Sequence, residues 1–204
     1  MAPPLAVEAA LPRHLSDGVS VWSGARLADL RSSSPEDYEA LREAVDALGA
    51  ASGVAQELKG PLTTAAKLVE APGQRLYLLH ERGSVAGLVK VGEKHLYYWR
   101  RGGGTVELDP VCVLDFYVSA QRAGRGRALF DAMARAERRD AKSLAYDRPS
   151  PKMLPFLKRH FGLADYVEQP NNFVIYDSFF GKDGAPPRAV GRAAPGVGRV
   201  VGTL

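Results

Sequence analysis

Phe116-Tyr117-Val118-Ser119-Ala120-Gln121-Arg122-Ala123-Gly124-Arg125-Gly126-Arg127-Ala128-Leu129-Phe130 decides how this chain is read. An apolar run ends, a turn rich in glycine and arginine follows, and a helical pattern begins. Glycines let backbone N–H groups approach an anion closely. The amides at a helix start point at it, and the helix dipole adds a favourable field. Arg122, Arg125 and Arg127 supply counter-charge. The same turn also fits a basic surface loop or an arginine–glycine RNA contact. A strand before and a helix after are the context that a phosphate loop needs. A Rossmann turn is excluded because the G-x-G-x-x-G spacing is absent, and a Walker loop because no Gly-Lys-Ser/Thr is present.

Working outward, Thr105–Val118 reads as one long strand, with Cys112, Leu114, Phe116 and Val118 on one face. Leu76–Glu81, Ala86–Val91 and Leu96–Arg100 are short β-type runs separated by turn residues, an antiparallel meander. Upstream, Ser34 is a candidate N-cap with Pro35 behind it, and Tyr38, Leu41, Val45 and Leu48 recur at helical spacing. That helix is expected to reach Ala51, and a second to run from Pro61 to Glu70. Downstream, a helix over Gly124–Arg138 turns Leu129, Phe130 and Met133 inward. Ser143–Tyr146 is a short strand, Ser150 caps a helix to His160, and Phe173–Tyr176 closes the sheet. No internal repeat is visible. The expected class is α/β, mixed and α+β-like: a central mixed twisted sheet with helices on both faces.

Composition sets the bounds. The chain has 204 residues, 46% hydrophobic and 25% charged, which suits one globular domain. Its net charge of +4 is too small for a nucleic-acid signature, so no nucleic-acid partner is expected. The single cysteine excludes a disulfide framework and a cysteine-rich zinc site. His14, His80, His95 and His160 show no metal spacing, so no metal is expected. Arg135, Arg138 and Arg139 read as the solvated face of their helix. The N-terminus lacks a signal-peptide pattern and no apolar run approaches a membrane span, so no membrane partner is expected. Composition shifts at Lys182 to Gly, Pro, Ala and Arg. The expected division is a domain over 1–181 and a disordered tail over 182–204.

The element order is that of the Gcn5-related acetyltransferase (GNAT) architecture, and several stretches are more specific. They are Pro110-Val111-Cys112-Val113-Leu114-Asp115-Phe116-Tyr117-Val118, the Q-x-x-G-x-G loop from Gln121, Ala145-Tyr146-Asp147-Arg148-Pro149-Ser150, and Gln169-Pro170-Asn171-Asn172-Phe173-Val174-Ile175. Gly87-Leu88-Val89-Lys90-Val91-Gly92 and Val54-Ala55-Gln56 also fit. In this order, the motifs resemble the α-tubulin N-acetyltransferase family over roughly residues 5 to 180. The resemblance implies transfer of an acetyl group from acetyl-CoA to one lysine on the luminal loop of α-tubulin, by direct amine attack in a ternary complex. It further implies a monomer in the cytoplasm and on microtubules, the axoneme of a cilium or flagellum included.

By the same resemblance, Asp147 and Cys112 match the residues discussed as catalytic, and Gln56 a glutamine required for activity. Phe116, Tyr117, Val118, Gln121, Arg122, Ala123, Gly124, Arg125, Gly126, Arg127, Ser150, Lys152 and Arg159 match coenzyme contacts, and Arg148 a substrate contact. The span from Tyr117 to Gln121 is shorter than the family's. Pro155 stands where a basic residue is usual, and Arg100-Arg101 where the turn is often acidic.

The residues read by themselves leave choices open. A lysine amine, with an ordinary pKa of about 10.4, must lose a proton before it attacks a thioester. Asp147 could accept it, provided burial raised its basicity, or it could pair with Arg148 or help start the next helix. Cys112 could act as a thiolate, wall a substrate slot, or be plain core. Gln56 could bond the substrate's loop, orient a side chain, or be a solvated surface residue. Two rival functions stand beside the leading one: an acetyltransferase for another protein lysine, and a non-catalytic microtubule- or RNA-binding module, which would not bind coenzyme A.

Overall fold

The structure, a computed structural model, describes residues 17–119, 124–181 and 186. Gln121, Arg122 and Ala123 of the loop and the segment 182–204, Pro186 apart, lie outside the described residues. The strands β1 (Gly18–Ser23), β2 (Gln74–Glu81), β3 (Ser84–Glu93), β6 (Val111–Val118), β7 (Ala145–Asp147) and β8 (Phe173–Val174) are neighbours in that order in one six-stranded sheet. The sheet is mixed, as expected: β6 and β7 run parallel, while β1–β2 and β7–β8 are antiparallel. The expected meander fails at its third strand. Leu96–Trp99 (β4) leaves the sheet and pairs with Thr105–Leu108 (β5), from Leu96 opposite Leu108 to Trp99 opposite Thr105. The long strand expected over Thr105–Val118 is therefore two strands, broken at Asp109-Pro110, where proline has no N–H to give a ladder.

The described residues group into two compact units. The first comprises residues 17–90, 115–119 and 124–133. It contains β1 and a helix α1 (Gly24–Ser33), neither of which the sequence reading found. Ser23 caps α1 by accepting from Arg26 N at 3.2 Å. The next helix, α2, runs over Pro35–Ala55, four residues beyond the expected Ala51. Ser34 stands at its N-cap, but its hydroxyl donates to Asp37 at 2.8 Å instead of accepting from a backbone amide. The helix α3 occupies only Ala65–Val69; Thr64 is its cap, through Lys67 N at 3.1 Å, so Pro61 does not start it. Trp22, Leu27, Leu41, Val45, Leu48, Leu68, Leu76, Leu78 and Leu88 form this unit's apolar core. Gly49 lets α2 lie directly on Thr63, since a Cβ there would stand 1.9 Å from the Thr63 carbonyl oxygen.

His80 is buried in β2. Its Nε2 shares a hydrogen bond with Ser20 Oγ, which also accepts from Trp22 Nε1 at 2.7 Å. Nδ1 is buried with no partner among the described residues. Burial pushes the imidazole down to about 4, partly opposed by the charge of Asp17. A histidine depressed in the fold binds fewer protons there than in the unfolded chain. Its contribution is present above pH ~6.5 and is lost as pH falls toward about 4, up to about 3 kcal/mol in all. Denaturant unfolding at pH 7 and pH 4.5 is expected to show a smaller drop for His80→Gln than for wild type. Equal drops would remove His80 from this account.

The second unit comprises residues 91–114 and 134–181. Leu96, Tyr98, Leu108, Cys112, Leu114, Ala145, Ile175 and Phe179 form its core. Within β6–β7, Cys112 stands opposite Ala145 and Val113 opposite Tyr146. The helix α5 is Met153–Phe161, ended by Gly162 in the left-handed region. Ser150 therefore does not cap it directly; Lys152 holds the N-cap position, and Ser150 Oγ accepts from Met153 N at 3.3 Å across the preceding turn. Pro155 lies in the first turn, where its missing N–H would have had no helical partner. The helix α4 (Arg125–Glu137) buries Leu129, Phe130 and Met133 as expected.

Candidate active site

The first unit holds the described part of the loop. Gly124 has φ +74°, a left-handed conformation that favours glycine, and its carbonyl accepts from Ala128 N at 3.0 Å as α4 begins. Two of the expected counter-charges have carboxylate partners. Arg125 Nη2 lies 2.5 Å from Glu81, and Arg127 Nε lies 2.6 Å from Asp131. Phe116 meets Phe130 edge-on at 6.0 Å, and Tyr117 packs against the first core. Val118 is half-buried, and Ser119 ties to Ala86 through both its N and its Oγ. The Gly124 turn, the start of α4 and the aromatic residues Phe116 and Tyr117 have the chemistry that an anionic coenzyme needs.

The same unit contains a cluster that the sequence reading missed. Asp115 is buried on β6 and accepts from Ser52 Oγ at 2.8 Å, Gln56 Nε2 at 3.0 Å and Thr63 Oγ1 at 2.6 Å. Gln56 Nε2 also donates to Ser52 Oγ at 2.8 Å. Gln56 is thus no solvated surface residue; it sits at the end of α2, joined to a buried carboxylate. A signal was present: a carboxylate in the middle of an apolar strand must find donors.

In the second unit, Asp147 ends β7 with its side chain 15% exposed, and Arg148 follows at φ +41°. Arg148 Nε and Nη2 donate to the two Asp147 oxygens at 2.9 and 3.2 Å. The pairing that the sequence left open is present. The hydrogen bond and charge of Asp147 hold Arg148 above its usual value. Arg148 N donates to Asn172 O at 3.0 Å, and Asn171 Oδ1 accepts from Phe173 N at 3.1 Å, so the Asn-Asn motif braces this turn. Gln169 bridges Trp99 N at 2.8 Å and Trp99 O at 3.0 Å, a structural use of its motif. Lys152 and Arg159 are exposed, two turns apart along α5.

Cys112 is fully buried. Burial first, then the charge of Asp147, pushes its thiol up to about 12, so it is not a thiolate near neutral pH. Its thiol makes a weak contact to Pro110 O at 3.5 Å, and the backbone of Lys94 opposes the upward push slightly. As the chain's single cysteine it offers a direct check. A thiol reagent at pH 7.5 is expected to leave the native protein unlabelled and to label one thiol after unfolding. Fast labelling of the native state would contradict a buried, protonated Cys112.

A mixed sheet whose strand β6 leads into the glycine turn and α4 has the arrangement of the GNAT fold. Residues 9–194 match the family described as GNAT acetyltransferase, Mec-17, and the chain belongs to that family. The α-tubulin N-acetyltransferase of Leishmania infantum is 46% identical over 177 residues, 80% of this chain and 72% of that one. The Tetrahymena thermophila protein of the same name is 42% identical over 152 residues, 74% of this chain but 38% of that one. The chain spans from about a third to three quarters of the length of the curated relatives of this name. A solved ribosomal-protein-alanine N-acetyltransferase from Brucella melitensis shares 15% identity, with a TM-score of 0.45 over 74% of this chain and 96% of that one. No helix among the described residues is long and apolar enough to cross a membrane.

Proposed function

We propose that this protein transfers the acetyl group of acetyl-CoA to the side-chain amine of a lysine on the luminal loop of α-tubulin, and so acts on the microtubule cytoskeleton. The observation that carries the reading is the match of one acetyltransferase family over residues 9–194, with relatives above 40% identity that bear the name α-tubulin N-acetyltransferase. Acetyl-CoA supplies the activated thioester. The amine nitrogen forms the new bond to the acyl carbon, the C–S bond breaks, and the proton lost by the amine needs an acceptor.

Asp147 is that acceptor in this reading. It ends a strand, carries a carboxylate and is mostly shielded from water. Cys112, buried and neutral, feels the charge of Asp147. Gly124, Gly126 and the start of α4 take the pyrophosphate, with Phe116, Tyr117 and Val118 along the coenzyme. Arg148 steadies Asp147 beside the substrate. The protein works as a monomer. The deciding assay incubates it with acetyl-CoA and polymerised tubulin and reads the modified lysine by mass spectrometry. Acetylation of a single α-tubulin lysine is expected. Acetylation of other proteins but not tubulin would shift the reading to another lysine acetyltransferase, and absence of coenzyme A binding would leave the non-catalytic module.

A further inference from the structure

We propose that Asp115 is a positioning residue that sets the orientation of the Gln56 carboxamide, so that Gln56 offers its carbonyl oxygen, an acceptor, to an N–H group of the acetyl-accepting protein. The inference rests on the acetyltransferase reading above and deepens it at the acceptor side.

The argument is a count of protons. An aspartate carboxylate only accepts hydrogen bonds; a hydroxyl has one proton and an amide nitrogen two. Ser52 gives its one proton to Asp115 Oδ1 at 2.8 Å, which leaves its oxygen free to accept. Gln56 Nε2 then spends both protons, one on Ser52 Oγ at 2.8 Å and one on Asp115 Oδ1 at 3.0 Å. A flipped carboxamide would bring Oε1 against Asp115 with no proton between two acceptors, so the buried carboxylate allows one orientation. Oε1 accepts no hydrogen bond among the described residues and is not sealed from solvent.

The support around the carboxylate is stiff. Thr63 Oγ1 holds the other oxygen, Oδ2, at 2.6 Å. Gly49 lets α2 press onto the Thr63 backbone, and Ser52 and Gln56 stand one turn apart at the end of that helix. A fixed acceptor suits a lysine ammonium or a backbone amide of the loop that carries it. It disfavours a carboxylate or carbonyl at the same place.

A double-mutant cycle tests this. Gln56→Ala is expected to lower kcat/KM for the protein acceptor about 10- to 100-fold, the worth of one hydrogen bond to a charged or desolvated group, with coenzyme A affinity unchanged. Asp115→Leu should cost the same, and the double variant no more than either single one, because Asp115 acts through Gln56. Asp115→Asn keeps an acceptor toward Ser52 and Gln56 while Thr63 turns to accept, and should restore activity to within about threefold of wild type. Should Asp115→Leu fail to fold, Gln56→Glu carries the test.

Gln56→Glu, which has no N–H to give Asp115, is the second test and should lose as much as Gln56→Ala. Side-chain amide NMR gives a readout free of any substrate: both Gln56 Nε2 protons should be protected from exchange in wild type, and in Ser52→Ala the one given to Ser52 should be released while the one given to Asp115 stays protected. If wild type acetylates no tubulin, the proposed function fails, and the NMR result alone then decides the orientation. Multiplying losses in the cycle, a fully active Gln56→Glu, or unprotected amide protons would each overturn the proposal.

Discussion

Asp147→Asn is expected to lower kcat on polymerised tubulin by about 10²–10⁴, the usual cost of removing a general base, while coenzyme A affinity barely changes. Asparagine keeps the size and can still bond Arg148, but it cannot take the amine's proton. The nearby alternative is weak, because the Cys112 thiol is pushed up to about 12 and is protonated at the working pH. Cys112→Ser should therefore cost little, and Cys112→Ala somewhat more through lost packing; a thiolate mechanism would make the two equally damaging. Arg148 adds a control. Its side chain is 62% exposed, and such ion pairs contribute about 0–1 kcal/mol, so losing the pair should not unfold the protein. If Asp147 only anchored that pair, Arg148→Ala and Asp147→Asn would be equally mild. A folded Asp147→Asn enzyme with near wild-type kcat would refute the assignment and send the proton to a bound water.

Much of this arrangement was legible in the sequence, and the failures have physical causes. The strand, turn and helix around Gly124 and the buried positions Leu129, Phe130 and Met133 follow directly from residue types and spacing. Helix α1 escaped because Leu27 is its only large buried apolar residue, too few for a periodic stripe. Pro61 looked like a helix start, but Thr64 offers a side-chain oxygen to Lys67 N and wins. Pro110 was read through as part of a strand, although a residue with no N–H marks a break. The site was legible where a motif named single residues and hidden where function needs partners far apart in the chain. Asp115 lies 63 residues from Ser52 and 52 from Thr63, and no local pattern joins them. The three loop arginines looked like the anion's partners; in the fold, Arg125 is paired with Glu81 and Arg127 with Asp131.

These pairings bear on which residues should matter for the coenzyme. Gly124→Val and Gly126→Val are each expected to weaken coenzyme A binding on the order of 10²-fold, and Arg125→Ala by less than about fivefold. A helix leaves its first four N–H groups without helical partners, and these amides are what the start of α4 can offer a pyrophosphate. Their use depends on close approach of the backbone, which a β-branched side chain at Gly126 would obstruct. At Gly124 the obstacle is conformational. Its φ of +74° costs an L-residue about 1–2 kcal/mol, more if β-branched, although a Cβ itself would stand in open space among the described residues. The loop would then relax toward negative φ and turn its amides away. Arg125, by contrast, already has its charge on Glu81 at 2.5 Å, and its removal costs only one partly exposed ion pair. Titration calorimetry with coenzyme A separates these outcomes. Unchanged affinity in both valine variants, or a loss in Arg125→Ala equal to theirs, would mean that side-chain charge rather than the backbone holds the pyrophosphate.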